Sequence, residues 1–361
     1  LQRQLLQVGK PAQRTASPLR LCVSFLSCTQ QRQKIYARSI FVICHLSPLF
    51  SLSPSHLPYH INMNNIAGLD LPHLNADDKL RRILTAALPN HSDNSAQPSL
   101  DYWDAQFFNL HQVQIFQQAS IAEQSAILHL TNRSIFLESY FIEKAGVGYM
   151  AKMVLLAETV EERMLYALFT SDEATHLSQI VNFLPELEAS HSKDPFVNLL
   201  AEVVESADKA VLLFVLQVVL EGWGLSHYRR LAKECYHPQL KQLFASFLQA
   251  ESRHHGTGTM LFNRYPVSAS TQAAAIDILA CFLSMIQIGP QSVLSAIEQV
   301  KGDLTRSQKI QIMAELDTQT HSGTRLEILR SLMHGKSSEA IVQALDERGA
   351  FTALPADQCV S

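Results

Sequence analysis

A glutamate and a histidine three residues apart on a helix are separated by about 4.5 Å of rise and share one face, so a carboxylate and an imidazole reach the same cation. The chain contains four such Glu-x-x-His pairs: Glu173/His176, Glu188/His191, Glu234/His237 and Glu251/His254. With 15 His in 361 residues a few matches arise by chance, and position sorts them. Glu188/His191 stands between Pro185 and Pro195 and reads as loop, and Glu234/His237 runs into Pro238 and reads as a helix end and turn. The first and last pairs lie inside long helical patterns.

Thirty residues before each of these two pairs stands another carboxylate, Glu143 before Glu173 and Glu221 before Glu251. The midpoints, residues 158 and 236, carry turn signals. Thr159-Val-Glu-Glu162 reads as a capping box, and Pro238 as a first helical residue. In an antiparallel hairpin, residues equidistant from the turn lie at one height, here about 22 Å from it. Each lone Glu has Gly at its third following position, Gly146 and Gly224. The pattern is thus two copies of Glu-x-x-Gly … Glu-x-x-His. Glu138, five residues before Glu143, is the second choice for the first carboxylate and breaks the equal heights.

The elements that must position these residues are helices. One short helix is predicted over 76–87, followed by a loop marked by Pro89, Asn90, Ser92 and Pro98. One or two helices cover 103–130. Four long ones follow: 132–157 with Glu143, 160–183 with the first pair, one ending at Glu234 with Glu221, and 238–262 with the second pair. Ser206 is the predicted N-cap of the third. Its stretch 211–220 is apolar except for Gln217 and should be buried nearly all round. A crossover from about 184 to 206 joins the two hairpins and includes a short helix opened by Pro195. A further apolar helix over 273–288 stops at Gly289-Pro290, and three or four shorter amphipathic helices fill 291–350. No strand is predicted.

Over residues 130–262 this spacing resembles the ferritin-like di-iron carboxylate superfamily, four-helix bundles in which two Glu-x-x-His pairs and two lone Glu hold two ions. The resemblance implies an all-α fold, a ferritin-like four-helix bundle with additional N- and C-terminal helices. It implies six metal ligands, Glu143, Glu173, His176, Glu221, Glu251 and His254, with Glu173 and Glu251 bridging. Four carboxylates balance two divalent cations, and oxygen ligands with one imidazole per ion suit Fe, with Mn as the alternative. An Asp at the position of Asp172 hydrogen-bonds a ligating His in several members. Asp172 is therefore expected to support His254, the other reading being a solvent-exposed side chain. The second copy has Ala250 there, so the two ions would differ.

The activity implied is that of an O2-activating non-haem di-iron oxygenase or oxidase, with O2 as co-substrate and a small or medium apolar organic substrate. Hydroxylation, N-oxygenation, desaturation and C–C cleavage stay open. The alternatives are a di-manganese catalase or peroxide-reducing oxidase, and a non-enzymatic iron-binding helical protein. The radical-bearing Tyr of the ribonucleotide reductase small subunit is replaced by Ile180. The seventh ligand of the aryl-amine N-oxygenases is replaced by Phe247, with His227 or His255 as substitutes. Iron storage is disfavoured by the long C-terminal extension. Tyr140, Tyr149 and Tyr166 are candidate redox residues. Phe136, Tyr140, Phe169, Phe214, Leu225, Phe244 and Phe247 lie one turn from the ligands and form either a water-excluding lining or ordinary core. Gly146 and Gly224 leave room either for a small molecule or for close helix approach.

Composition sets the bounds. Hydrophobic residues are 47% and charged ones 17%, which describes a folded chain and excludes a disordered one. The net charge of −4 gives no nucleic-acid signal. Residues 1–69 hold seven basic residues and no Asp or Glu, so the remainder carries −11. The first Met is Met63, and 1–62 reads as a non-native or targeting extension. Within it, 40–52 is too short and Pro-broken to span a membrane. The expected divisions are 1–62, a lead-in 63–118, the bundle 119–265 and a C-terminal helical extension 266–361. Six scattered Cys without C-x-x-C suggest reduced thiols and a cytoplasmic setting. No flavin or iron–sulfur motif is present, so an electron-donor protein or the substrate itself supplies electrons. A homodimer is compatible with the sequence, and no membrane partner is expected.

Overall fold

A local sequence signal starts almost every long helix. The computed structural model describes residues 65–75, 77–88, 101–184, 194–264 and 266–360. The chain divides into Leu1–Ile61 and Asn62–Ser361, and every described residue belongs to the second unit. The predicted extension, the loop residues from Pro89 to Pro98 and the Glu188/His191 pair lie outside the described residues. Among the described residues every regular element is a helix, and no strand is present.

Asp78 caps α1 (Lys79–Ala87). Residues 101–118 form turns, with short helical pieces at Leu110–Gln112 and Gln114–Gln117. The predicted helix over 103–130 is therefore replaced over its first half. Asn109 adopts a left-handed conformation (φ 58°) that no helix continues through. The Asn132 carboxamide instead holds the segment: its oxygen accepts from Tyr102 and Trp103 N–H, both at 2.9 Å, and its nitrogen donates to Trp103 C=O at 2.9 Å. The apolar spacing of Trp103, Phe107 and Leu110 serves burial of an irregular segment, which helical periodicity mimics.

Helix α2 (Ile121–Leu156) starts eleven residues before the predicted 132, because Ser120 and Glu123 form a complete capping box. Three residues later Thr159 caps α3 (Val160–Ile180) by accepting from Glu162 N–H. The Glu162 carboxylate reaches Glu158 N–H at 3.0 Å, so the predicted box is half realised. The short connection makes α2 and α3 an antiparallel hairpin. Asp194 caps α4 (Pro195–Ser206), which packs on α2 and on α7 (Ala269–Gln287). The N-cap of α5 is Asp208, not Ser206. The Ser206 hydroxyl donates to Glu202 C=O and closes α4 instead.

Helix α5 (Lys209–Glu234) is continuous, but Leu212–Leu220 is wound as π-helix, and Glu221 is the first residue beyond it. Leu212–Val219 are all buried. Such segments are rare and are frequently found at functional sites. His237 caps α6 (Pro238–Phe262), and α5 and α6 make the second hairpin, which packs against α3. α5 and α7 are long and apolar enough to cross a bilayer by length and composition. In this fold Leu212–Val219 on α5, and Ala275, Leu279, Phe282 and Leu283 on α7, are core.

The C-terminal extension continues with α8 (Gln291–Lys301), α9 (Arg306–Glu315), α10 (Thr318–Leu332) and α11 (Glu339–Glu347). Gly289, at φ +74°, makes the predicted stop after α7. α8 lies on α2, and α10 borders α5. An aromatic cluster of Trp103, Phe136, Tyr228, Phe244 and Phe247 fills one end of the paired hairpins. A larger cluster with Tyr149, Tyr166, Phe169, Phe214 and the π segment fills the other.

Candidate metal centre

Burial of charge requires a partner, and four carboxylates meet between the two hairpins. Glu143 on α2, Glu173 and His176 on α3, and Glu251 on α6 form one group. Glu173, Glu221, Glu251 and His254 form a second, and in each group the ligating atoms lie within 4.8 Å of one another. Glu173 and Glu251 belong to both. All six residues are buried except Glu221, whose side chain is 12% exposed. Glu138 is in neither group, and neither are His227 and His255. His255 Nδ1 lies 3.4 Å from Gln217 C=O.

The imidazoles point into the carboxylates. His176 Nδ1 is 3.1 Å from Glu143 and 3.5 Å from Glu251. His254 Nδ1 is 3.1 Å from Glu173 and 3.3 Å from Glu221. On its far side, His254 Nε2 is 3.3 Å from the Asp172 carboxylate, which Arg253 also contacts at 3.0 Å. If the ring proton sits on Nε2 and donates to Asp172, Nδ1 presents a bare lone pair to carboxylate oxygens. Consistent with that, His254 Nδ1 and Glu221 Oε2 are both buried without a hydrogen-bond partner. Electron-rich atoms at this distance need a positive charge between them, a proton on Nδ1 in the metal-free protein or a metal ion, and the donor set fits a metal ion.

The titration behaviour carries the same message. Burial, then the charges of Glu251 and Glu143, push the Glu173 carboxyl well above its ordinary value. Burial and Glu251 do the same to Glu221. Burial opposes ionisation of His254, but Glu221, Asp172 and Glu173 outweigh it and raise its pKa. Glu251 is the exception. Burial would raise it, yet hydrogen bonding to His254 and Glu221 leaves it below the usual carboxylate range. The cluster therefore holds protons where a metal-filled site would hold cations.

Aromatic rings brace the two imidazoles. Phe247 stacks on His176 with centroids 3.9 Å apart, and Phe169 packs on His254 at 4.3 Å. The Tyr228 hydroxyl donates to Glu143. Sequence reasoning missed Tyr228, although it stands seven residues, two turns, after Glu221 on the same helix face. Tyr149 and Tyr166 both donate to the Gln217 side-chain oxygen, and Tyr140 pairs with His73 at 2.6 Å.

The two matching glycines differ. A Cβ on Gly146 would sit 2.6 Å from Glu173 Oε2, so Gly146 makes room for that carboxylate. A Cβ on Gly224 would meet nothing within 4 Å. Gly224 faces a cavity that offers about 90 Å³ to the centres of water-sized molecules and reaches Glu143, Glu173, Glu221 and Glu251. Its apolar wall is Ile142, Phe196, Leu200, Leu216, Leu220 and Trp223. None of the seven predicted lining residues is in that wall. Six of them are buried core, because an apolar stripe at helical spacing marks the helix–helix seam as readily as a pocket. Compared with known proteins, the chain matches no family model, no curated protein and no solved structure.

Proposed function

We propose that the chain is a ferritin-like di-metal carboxylate oxidoreductase, an O2-dependent oxygenase or oxidase of an apolar organic substrate. The observation that carries this reading is the pair of overlapping ligand groups sharing Glu173 and Glu251. Glu143 and His176 would complete one ion's ligands, and Glu221 and His254 the other's, with Glu173 and Glu251 common to both. Four carboxylates and two divalent cations sum to neutrality, which offsets the cost of burying them. Two Fe ions in such a site would supply reducing equivalents to O2 and oxidising power toward an organic substrate.

The protein's own part is positioning and exclusion of water. Asp172 would hold the proton on His254 Nε2 and leave Nδ1 to an ion, and Phe169 and Phe247 brace the two imidazoles. Tyr228 keeps a proton at Glu143, where it lowers the electron density that Glu143 offers an ion. The cavity at Gly224 gives a substrate access to the carboxylates along an apolar wall.

Metal analysis of aerobically purified protein tests the reading, with Glu173→Ala and Glu221→Ala alongside. Two Fe per chain, reduced in both variants, together with O2 consumption by the reduced protein, is the expected result. Two Mn per chain with turnover of peroxide would replace it by the catalase reading. No metal after anaerobic reconstitution with Fe(II) would refute both and leave a helical scaffold.

A further inference from the structure

The side chains that line the cavity beside Gly224 carry charge of one sign. They include five carboxylates, Glu138, Glu143, Glu173, Glu221 and Glu251, and one imidazole, His227, with no Lys or Arg among them. Four of the five carboxylates are candidate metal ligands, which two divalent cations would neutralise. Glu138 is not one of them, so the lining keeps an acidic group whether or not ions are bound.

Glu138 and His227 share one end of the cavity. Tyr149, six residues after Glu143 on α2, bonds to Gln217, four residues before Glu221 on α5, so the two helices run in opposite directions. Glu138, five residues before Glu143, and His227, six after Glu221, therefore step away from the ligands on the same side, by about 7.5–9 Å along the helix axes. His227 Nε2 is buried and has no hydrogen-bond partner. A buried polar atom in that state calls for a partner. Burial, with Arg325 and Arg230 adding to it, holds His227 down at about 4, and the neutral ring can present Nε2 as an acceptor. Burial and Asp194 push Glu138 up to about 7 although Arg325 acts the other way, as expected of a carboxyl short of a cation. Neither guanidinium lines the cavity. Between this end and the ligands stands Gly224, three residues from both Glu221 and His227, where a Cβ would meet nothing within 4 Å. The path from one to the other is open.

We propose that this cavity takes a primary amine with an apolar chain, its ammonium head between Glu138 and His227 and its chain running past Gly224 to the ligand carboxylates. An ammonium group has three N–H donors and no acceptor, which matches a carboxylate and an imidazole nitrogen and leaves neither unpaired. That the amine is a substrate rests on the di-metal reading above, whereas binding of its head does not.

Calorimetric titration at pH 8 with hexylamine, 1-hexanol and hexanoate tests the proposal on one chain length with three head groups. It is run on metal-free protein and after two equivalents of Mn(II). Hexylamine is expected to bind about tenfold tighter than 1-hexanol in both states, the increment of a charge-assisted over a neutral hydrogen bond. Hexanoate should bind weakest. Glu138→Gln, which keeps the shape and removes the charge, should erase the preference for hexylamine over 1-hexanol, and His227→Leu should weaken hexylamine several-fold. Should His227→Leu fail to fold, the head-group series and Glu138→Gln still decide. Equal binding of hexylamine and 1-hexanol, tightest binding of hexanoate, or an absence of binding by all three would each overturn the proposal. So would an amine preference untouched by Glu138→Gln and lost on adding Mn(II), which would place the amine on the empty ligand carboxylates. The two readings fail separately. Metal uptake without an amine preference sinks this inference alone, and amine binding that depends on Glu138, without metal uptake, sinks the di-metal reading alone.

Discussion

If the two carboxylate–histidine groups hold the proposed ions, Asp172→Ala should weaken one site and spare the other. The Asp172 carboxylate faces His254 Nε2 at 3.3 Å, and position 250, its counterpart in the second copy, is a buried alanine. Loss of such an outer partner costs about 10–100-fold in metal affinity. Asp172 is 30% exposed and shared with Arg253 at 3.0 Å, so part of its charge is spent elsewhere and screened. The lower end of that range follows, about tenfold or 1.4 kcal/mol. Titration of metal-free protein with Mn(II), followed by the electron paramagnetic resonance of the free ion, resolves two binding steps. One of the two steps should fall by that factor, while the other stays within about twofold, the ordinary margin of additivity. Arg253→Ala, which leaves Asp172 to His254 alone, should not weaken either step. Equal losses at both steps, or no loss at either, would refute the assignment of Asp172 to His254.

Glu221→Gln should stabilise the metal-free protein by about 1–2 kcal/mol, because the folded chain no longer has to hold a proton on a carboxyl that the unfolded chain ionises, while lowering metal stoichiometry. Chemical denaturation with and without Fe(II) reads both effects. The metal-free wild type should lose stability as pH rises above about 4.3, the unfolded carboxyl value, because folded Glu173 and Glu221 retain protons that the unfolded chain has released. The raised His254 adds a loss of the same sign above about 6.5. Denaturation midpoints between pH 5 and 8 would show the slope, which bound metal should flatten. Gly146→Ala should abolish metal binding, since its methyl group would displace the Glu173 carboxylate, whereas Gly224→Ala should keep the metal and leave stability equal or about 0.5–1 kcal/mol higher. Asn132→Ala strands the Tyr102 and Trp103 N–H groups and should cost about 2–4 kcal/mol in thermal or chemical unfolding.

The long helices were legible because their signals are local. Thr159, Pro195 and Pro238 stand where caps and first turns need them, and Gly289 where a left-handed residue ends α7, whereas the equally local box at Ser120 went unread and the start of α2 with it. The meeting of the six Glu and His followed from a periodicity of thirty that places equal heights on antiparallel arms, with no knowledge of the rest of the fold. Where local signals competed, the reading failed. Ser206 and Asp208 are both good caps, and only the path of the chain out of α4 assigns the role to Asp208. The segment 103–118 has helical apolar spacing, but a single carboxamide, Asn132, holds it as turns.

The sequence alone therefore determined which residues could share a cation, because ligand identity and helical spacing are properties of one strand of chain and its two hairpin turns. The tertiary structure decided what surrounds them. It placed Tyr228 on Glu143, separated Gly146 from Gly224 in purpose, wound Leu212–Leu220 as π-helix and opened a cavity that reaches Glu143. These are contacts between elements far apart in sequence, and their energies depend on packing and desolvation that no periodicity encodes.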